Sequence, residues 1–435
     1  MQRLITTITV ISVLAGCAIW MVGAEDSNPV PAPRVSDDPG RGAAPFSSRL
    51  QPAPEDPSLV TPTLRSAPPV EPVSSVDAAP ADGQDQIQLA LLLDCSGSMN
   101  GLITQAQAYL WNIVNELSAM QRDYRPARLE LALYAYGIEE LGGGQDYITR
   151  ISPFTADLET IAAKLFALQT SGSVELCGEA LHRALDELEW SRDENALRIM
   201  VIAGNESFAQ GVTDYRDQCK RAANHNTVIN TIFCGDCGEG VELMWRDAAR
   251  LAGGTYNCIN HNDEIQDVAT PYDGIIDSLN VELNDTYIGY GADGAQGKAM
   301  QSINDTNTIR LSREQSVNRA IVKSSGLYNN DSWDIVDAVA SEQLDLEADE
   351  DLLPERFGQA SVEDRKLMVI ELADKRGEVR RRIQETAEQR SRYLSELPER
   401  GTSSLADALV RSLREQAAAR GFTRSSAGVD TLGTK

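Results

Sequence analysis

Apolar and polar positions along the chain change texture twice. From about residue 86, Gln88-Leu89-Ala90-Leu91-Leu92-Leu93 is a short continuous apolar run ending in Asp94. That is the pattern of a strand buried on both faces. Leu102, Ala106, Tyr109, Ile113, Leu117 and Met120 then recur at helical spacing. Leu129 to Tyr136 reads as a second strand and Tyr147 to Ile151 as a third. Asp157 is placed to cap a helix running through Leu168. A helix over 178–189, a central strand from Leu197 to Ala203, a helix over 214–225 and a strand from Val228 to Phe233 follow. A helix over 240–252 is closed by Gly253-Gly254, and Thr255 to Ile259 is the last strand. Alternating strands and helices predict an α/β fold, a doubly wound and mostly parallel sheet with helices on both faces.

After about residue 284 the strand pattern stops. Residues 296–325 and 361–398 read as helices, so a helical C-terminal region is expected over 284–420, with a disordered tail over 421–435. The second helix is rich in Arg and Glu. Its apolar positions Leu372, Val379, Ile383, Ala387 and Leu394 make a thin stripe, suited to packing on the core or to a coiled-coil pairing, although no heptad is sustained. Ahead of the α/β pattern, residues 25–85 hold thirteen of the 18 prolines mixed with Ser, Asp and Ala. No apolar periodicity survives there, so the segment is expected to be a disordered linker or stalk.

The first 24 residues read as a targeting segment: Arg3 is their only charged residue, and an apolar stretch runs from Leu4 to about Val22. Within it, Leu14-Ala15-Gly16-Cys17 resembles the bacterial lipobox, which would make Cys17 the lipidated residue. A conventional cut after Val22-Gly23-Ala24 and an uncleaved anchor are the alternatives. Each exports the bulk of the chain, so a membrane-anchored envelope location, periplasmic or at the cell surface, is expected. Charge narrows the partners. The formal net charge is −26, which repels phosphate backbones and excludes nucleic acid as a natural partner. Beyond Cys17 there are six cysteines, Cys95, Cys177, Cys219, Cys234, Cys237 and Cys258, an even number that permits disulfides in an exported chain.

The informative motif is Asp94-Cys95-Ser96-Gly97-Ser98-Met99. It follows a buried strand and precedes an amphipathic helix, where ligands bind in open α/β sheets. A tight turn there aims one carboxylate and two hydroxyls at one point. These are hard oxygen donors suited to Mg²⁺ or Mn²⁺. The bland reading is a turn in which Asp94 and the serines merely cap the helix.

The run Leu-Leu-Leu-Asp-Cys-Ser-Gly-Ser-Met resembles the metal-ion-dependent adhesion site (MIDAS) of von Willebrand factor type A (vWA) domains, and the resemblance covers about residues 86–283. Thr270-Pro-Tyr-Asp273 and Asn330-Asp-Ser-Trp-Asp334 resemble a bacterial lipoprotein-like subfamily of unknown activity with an extra helical region. The resemblance implies a metal held by Asp94, Ser96 and Ser98, with one position left open for an acidic residue of a protein partner. Two other family positions differ. Where the family offers a Thr in a loop before a helix, Glu175 stands, with Ser173 nearby. Where it has an Asp after the central strand, Gly204 stands, followed by Asn205 and Glu206. The implied metal set is therefore Asp94, Ser96, Ser98, Glu175 and Asn205. A bridge between Cys95 and Cys177 is also suggested, because the loops that hold them meet at the site in this fold.

Other motifs point to structure. Cys234-Gly-Asp-Cys237 lacks a thioredoxin-type setting and suits a structural disulfide better than redox chemistry. His182, His225 and His261 accompany no nucleophile elbow. Gly291 to Lys298 has the wrong spacing for a phosphate loop, and the acidic run over 342–351 lacks the glycine and closing Glu of a calcium loop. The expectation is metal-dependent protein binding by an envelope-tethered domain and no enzyme activity. The second expectation is a structural envelope protein with a vestigial metal site that assembles through its C-terminal helices.

Overall fold

The computed structural model describes residues 85–138, 147–259, 267–397 and 405–424. The expected targeting segment with Cys17, the linker up to residue 84, His261 and residues 425–435 lie outside them.

Strands β1 (Gln86–Asp94), β4 (Arg128–Tyr136), β5 (Ile148–Thr155), β6 (Leu197–Gly204), β7 (Thr227–Cys234) and β8 (Tyr256–Ile259) form one sheet in the order β5-β4-β1-β6-β7-β8. All neighbours are parallel except β5, which runs antiparallel to β4 at the edge. The strand order reverses about β1. The crevice outside the carboxyl ends of β1 and β6 is therefore the place where an open sheet of this kind presents a ligand site. A short hairpin, β2 (Met120–Arg122) with β3 (Arg125–Pro126), leads into β4. Its partner is β9 (Thr423–Arg424), within the stretch expected as a tail, where Phe422 is also buried.

Helices cover both faces. On one, Leu89, Leu91 and Leu93 of β1 pack with Leu102, Trp111, Val114 and Leu117 of α1 (Asn100–Ser118) and with Ile161 and Leu165 of α2 (Leu158–Ala167). On the other, Ala90 and Leu92 pack with α3 (Cys177–Glu187), α4 (Tyr215–Asn224) and α6 (Trp245–Leu251), the last preceded by the short α5 (Cys237–Glu242). Alternate residues of β1 thus feed two separate cores, which is why its sequence is apolar throughout. The single helix expected over 240–252 is two, α5 and α6, broken at Met244 with φ of 72°.

The C-terminal region is helical: α7 (Asp273–Asn284), α8 (Gly294–Leu311), α9 (Arg313–Lys323), α10 (Ile335–Ala340), α11 (Glu355–Gly358), α12 (Val362–Glu396) and α13 (Leu405–Ala419). The helix expected over 296–325 is interrupted at Ser312. Ser312 is extended, and its hydroxyl accepts from the Gln315 N–H to start α9, a Ser-x-x-Gln cap. Val322 of α9 and Leu409, Leu413 and Ala417 of α13 join the α1 face of the sheet core. Buried charges tie α9 to α2 and α8: Arg319 pairs with Glu159 of α2 and Asp305 of α8 at 2.6 Å each, and Lys323 with Asp305 at 2.9 Å. Helix α12 packs within its own chain through Val379 and Ile383, joined by buried Arg365, Arg376 and Arg390. No helix among the described residues is long and apolar enough to cross a membrane.

Candidate metal centre

Asp94 ends β1 with no exposed side-chain surface. Its Oδ1 accepts from the Ser96 N–H at 2.8 Å, a short turn that brings the Ser96 hydroxyl back beside the carboxylate. Ser96 Oγ and Ser98 Oγ lie 3.2 Å apart, Ser96 buried and Ser98 exposed. A second loop is laced to the first: Ser171 N–H donates to the Cys95 carbonyl at 2.8 Å and Gly97 N–H to the Gly172 carbonyl at 3.1 Å. This lacing sets the 170–176 segment over Asp94 and brings in Glu175, which is 4% exposed. Ser173, the nearby alternative, is exposed. From the end of β6, Asn205 completes the group, its Nδ2 donating to Ser98 Oγ at 3.3 Å.

Three oxygens here are buried without a hydrogen-bond partner: Asp94 Oδ2, Glu175 Oε2 and Asn205 Oδ1. Burial pushes the Asp94 carboxyl up, and hydrogen bonding from Glu175 and Ser96 offsets part of the rise. Burial, then the Asp94 carboxylate, pushes Glu175 up to about 8. Two carboxylates so placed share a proton or hold a cation. The donor set fits a hard divalent ion: two carboxylates and two hydroxyls with no soft ligand, and the Asn205 amide, which turns its Nδ2 to Ser98, stands beside them. Among the described residues no three His, Cys, Asp or Glu side chains gather around a metal position, so a metal held here depends on neutral oxygens as well as on its two carboxylates.

Two glycines wall Asp94, and both are required. Gly137 has φ of 86°, and a Cβ on it would stand 2.9 Å from Asp94 Oδ1. A Cβ on Gly204 would stand 3.0 Å from Asp94 Oδ2 and 2.5 Å from the Tyr136 hydroxyl, which donates to the Ala203 carbonyl at 2.8 Å. Tyr136 thus fills the volume that a side chain at 204 would need. Tyr136 belongs to no motif in the sequence. Its signal was present as an aromatic at the carboxyl end of the strand beside β1, directly opposite Asp94 in the register.

The suggested Cys95–Cys177 bridge is absent. Both cysteines are buried and free, and they belong to the cores on opposite faces of the sheet. Cys95 Sγ donates to the Leu93 carbonyl, and Cys177 Sγ lies 3.8 Å from the Tyr136 hydroxyl. The bonded pair is Cys237 and Cys258, with Cα atoms 5.3 Å apart, which leaves Cys234 free and its C-x-x-C unpaired within itself. His182 faces Asp186 and Arg221 on the surface of α3, and His225 closes α4. Lys298 of the glycine-rich stretch bonds Asn284 and Gln301, and Asp345 and Asp349 of the acidic run accept from backbone N–H groups.

No protein-family model matches the chain, and no curated protein does. Solved structures do match. BatB from Bacteroides thetaiotaomicron is 14% identical over 40% of this chain and 90% of its own, with a TM-score of 0.31. The SpRpn10 VWA domain is 17% identical over 40% of this chain and 88% of its own, also at 0.31. Proximal thread matrix protein 1 of the mussel byssus, solved with zinc in its MIDAS motif, is 12% identical over 41% of this chain and 43% of its own, at 0.32. The chain's own topology defines the fold: a mostly parallel six-stranded α/β sheet with an antiparallel edge strand, helices on both faces and the Asp94 loop at the end of β1, joined to a helical C-terminal region.

Proposed function

We propose that this chain is a metal-ion-dependent protein-binding module, exported and tethered at a bacterial cell envelope through its N-terminal segment. Mg²⁺ or Mn²⁺ would be held by Asp94, Ser96, Ser98, Glu175 and Asn205. The observation that carries the reading is the pair of buried carboxylate oxygens, Asp94 Oδ2 and Glu175 Oε2, left without donors beside the Ser96 and Ser98 hydroxyls. An ion supplies what they lack, and a buried acceptor without a partner is otherwise costly. Asp94 and Glu175 anchor the cation by charge, and Ser96 and Ser98 turn their hydroxyls to it. The lacing of the two loops keeps the donors in place. Ser98 is exposed and Asn205 half-buried beside it, so the accessible side of the ion is the one a partner would meet. The site offers no poised nucleophile. Cys95 and Cys177 are buried thiols pushed up by burial, Cys95 to about 12, so neither is a poised nucleophile.

The test is a Mg²⁺ and Mn²⁺ titration of the whole chain by calorimetry and thermal melting, beside Asp94→Ala. A ligand that binds only the native state raises the melting temperature with its concentration. Binding and stabilisation in the parent and neither in the variant support the reading. No response in either protein contradicts it and leaves the vestigial-site alternative.

A further inference from the structure

We infer that Glu175 occupies the position at the cation that an incoming carboxylate would need, so the partner meets this metal through an uncharged oxygen, not through an acidic side chain. The inference rests on the metal reading above and goes beyond it by specifying the chemistry of the contact.

Charge carries the first part. With a cation bound, Asp94 and Glu175 would both ionise, each bringing one negative charge to a buried point, 0% and 4% exposed, and together neutralising a divalent ion. Ser96, Ser98 and Asn205 add donors without charge. Glu206 follows directly and is exposed at the rim, with its backbone carbonyl fixed by Trp245 Nε1 at 2.8 Å. An arriving carboxylate would enter a site already neutral at the ion and negative at its rim, on a chain of net charge −26. Like charges brought together where water is scarce repel strongly, and this repulsion suppresses acidic partners.

Space carries the second part. Position 204 cannot supply a carboxylate, because Tyr136 fills the volume that a side chain there would need. The second carboxylate comes instead from the loop that covers the site. Glu175 is fixed there by the Ser171–Cys95 and Gly97–Gly172 hydrogen bonds. An uncharged oxygen, from water, a backbone carbonyl, an amide or a hydroxyl, completes the coordination without adding charge.

The experiment loads the whole chain with Mn²⁺ and reads the longitudinal relaxation of water protons while acetate is added to millimolar concentration. The expected result is enhanced relaxation, showing water on the bound ion, that acetate leaves unchanged in the parent. In Glu175→Thr, acetate is expected to reduce the enhancement at least twofold. Acetate displacing water from the parent overturns the inference, whatever the variant does. So does bound Mn²⁺ that carries no water, because the site is then closed to any partner. Absence of Mn²⁺ binding, read separately by calorimetry, fails the metal reading itself and is thereby distinguished from failure of the inference.

Discussion

The hydroxyl of Tyr136 stands where a side chain on Gly204 would begin, 2.5 Å from the position of its Cβ, and is held there by the Ala203 carbonyl. An aspartate introduced at 204 therefore collides with the Tyr136 hydroxyl instead of reaching Asp94 freely. Gly204→Ala is expected to cost about 1–3 kcal/mol through overpacking. Tyr136→Phe, which removes the colliding oxygen, should recover part of that cost. Urea unfolding of the two single variants and the double variant measures the coupling. Additive effects would contradict the geometry.

The buried ion cluster should bind the C-terminal helices to the sheet layer. Arg319 is 1% exposed, stacks over Trp111 at 4.7 Å and pairs with both Glu159 and Asp305. Arg319→Ala leaves Glu159 buried without its cation, and a loss of about 3–5 kcal/mol is expected from urea unfolding. Glu159→Gln with Arg319→Met, which removes both charges and keeps volume, should lose less than Arg319→Ala alone.

Acid should weaken the same cluster. Burial raises the Asp305 carboxyl, but Lys323 and Arg319 outweigh it and hold the group well below the usual carboxylate range. Its folded pKa is thus below its unfolded one. The stability it contributes is present above about pH 3.9 and is lost as pH falls through the depressed value. Between about pH 5 and about pH 3 the urea midpoint of the parent should fall more steeply than that of Asp305→Asn. Equal slopes would assign the acid sensitivity to other groups.

Cysteine labelling tests the layout of the two sheet faces. Alkylation of the unfolded, unreduced chain should modify Cys95, Cys177, Cys219 and Cys234 and spare Cys237 and Cys258. The bridge closes a loop with a sequence separation of 21, so Cys237→Ser is expected to cost about 3 kcal/mol. A Cys95–Cys177 peptide in the digest would contradict the separation of the two cores.

The sheet was legible wherever an element declares itself locally. The apolar run ending in Asp94, the Asp157 cap and the Gly253 stop all stand where the pattern put them. Helix α12 was harder to read, because its buried face includes Arg365, Arg376 and Arg390. These count as polar in sequence but are inside through their partners: Arg376 on Asp334 and Asp337, and Arg390 on Asp273. The docking of α9 and α13 on α1 joins residues some two to three hundred positions apart, such as Asn112 with Asn318 and Glu116 with Arg414, and no local period announces it. At the site, Asp94, Ser96 and Ser98 followed from the motif. The packing of Tyr136 against Gly204 depends on which strand lies beside β1, and the motif carries no trace of that.

Glu175 would be a direct ligand of the metal, the second charged one beside Asp94. Calorimetric Mn²⁺ affinities of the parent, Asp94→Ala and Glu175→Thr decide it. Removing either charged ligand should weaken binding at least tenfold, equivalent to about 1.4 kcal/mol. Mn²⁺ affinity unchanged in Glu175→Thr would contradict the claim and leave Glu175 as a buried carboxyl that holds only a proton.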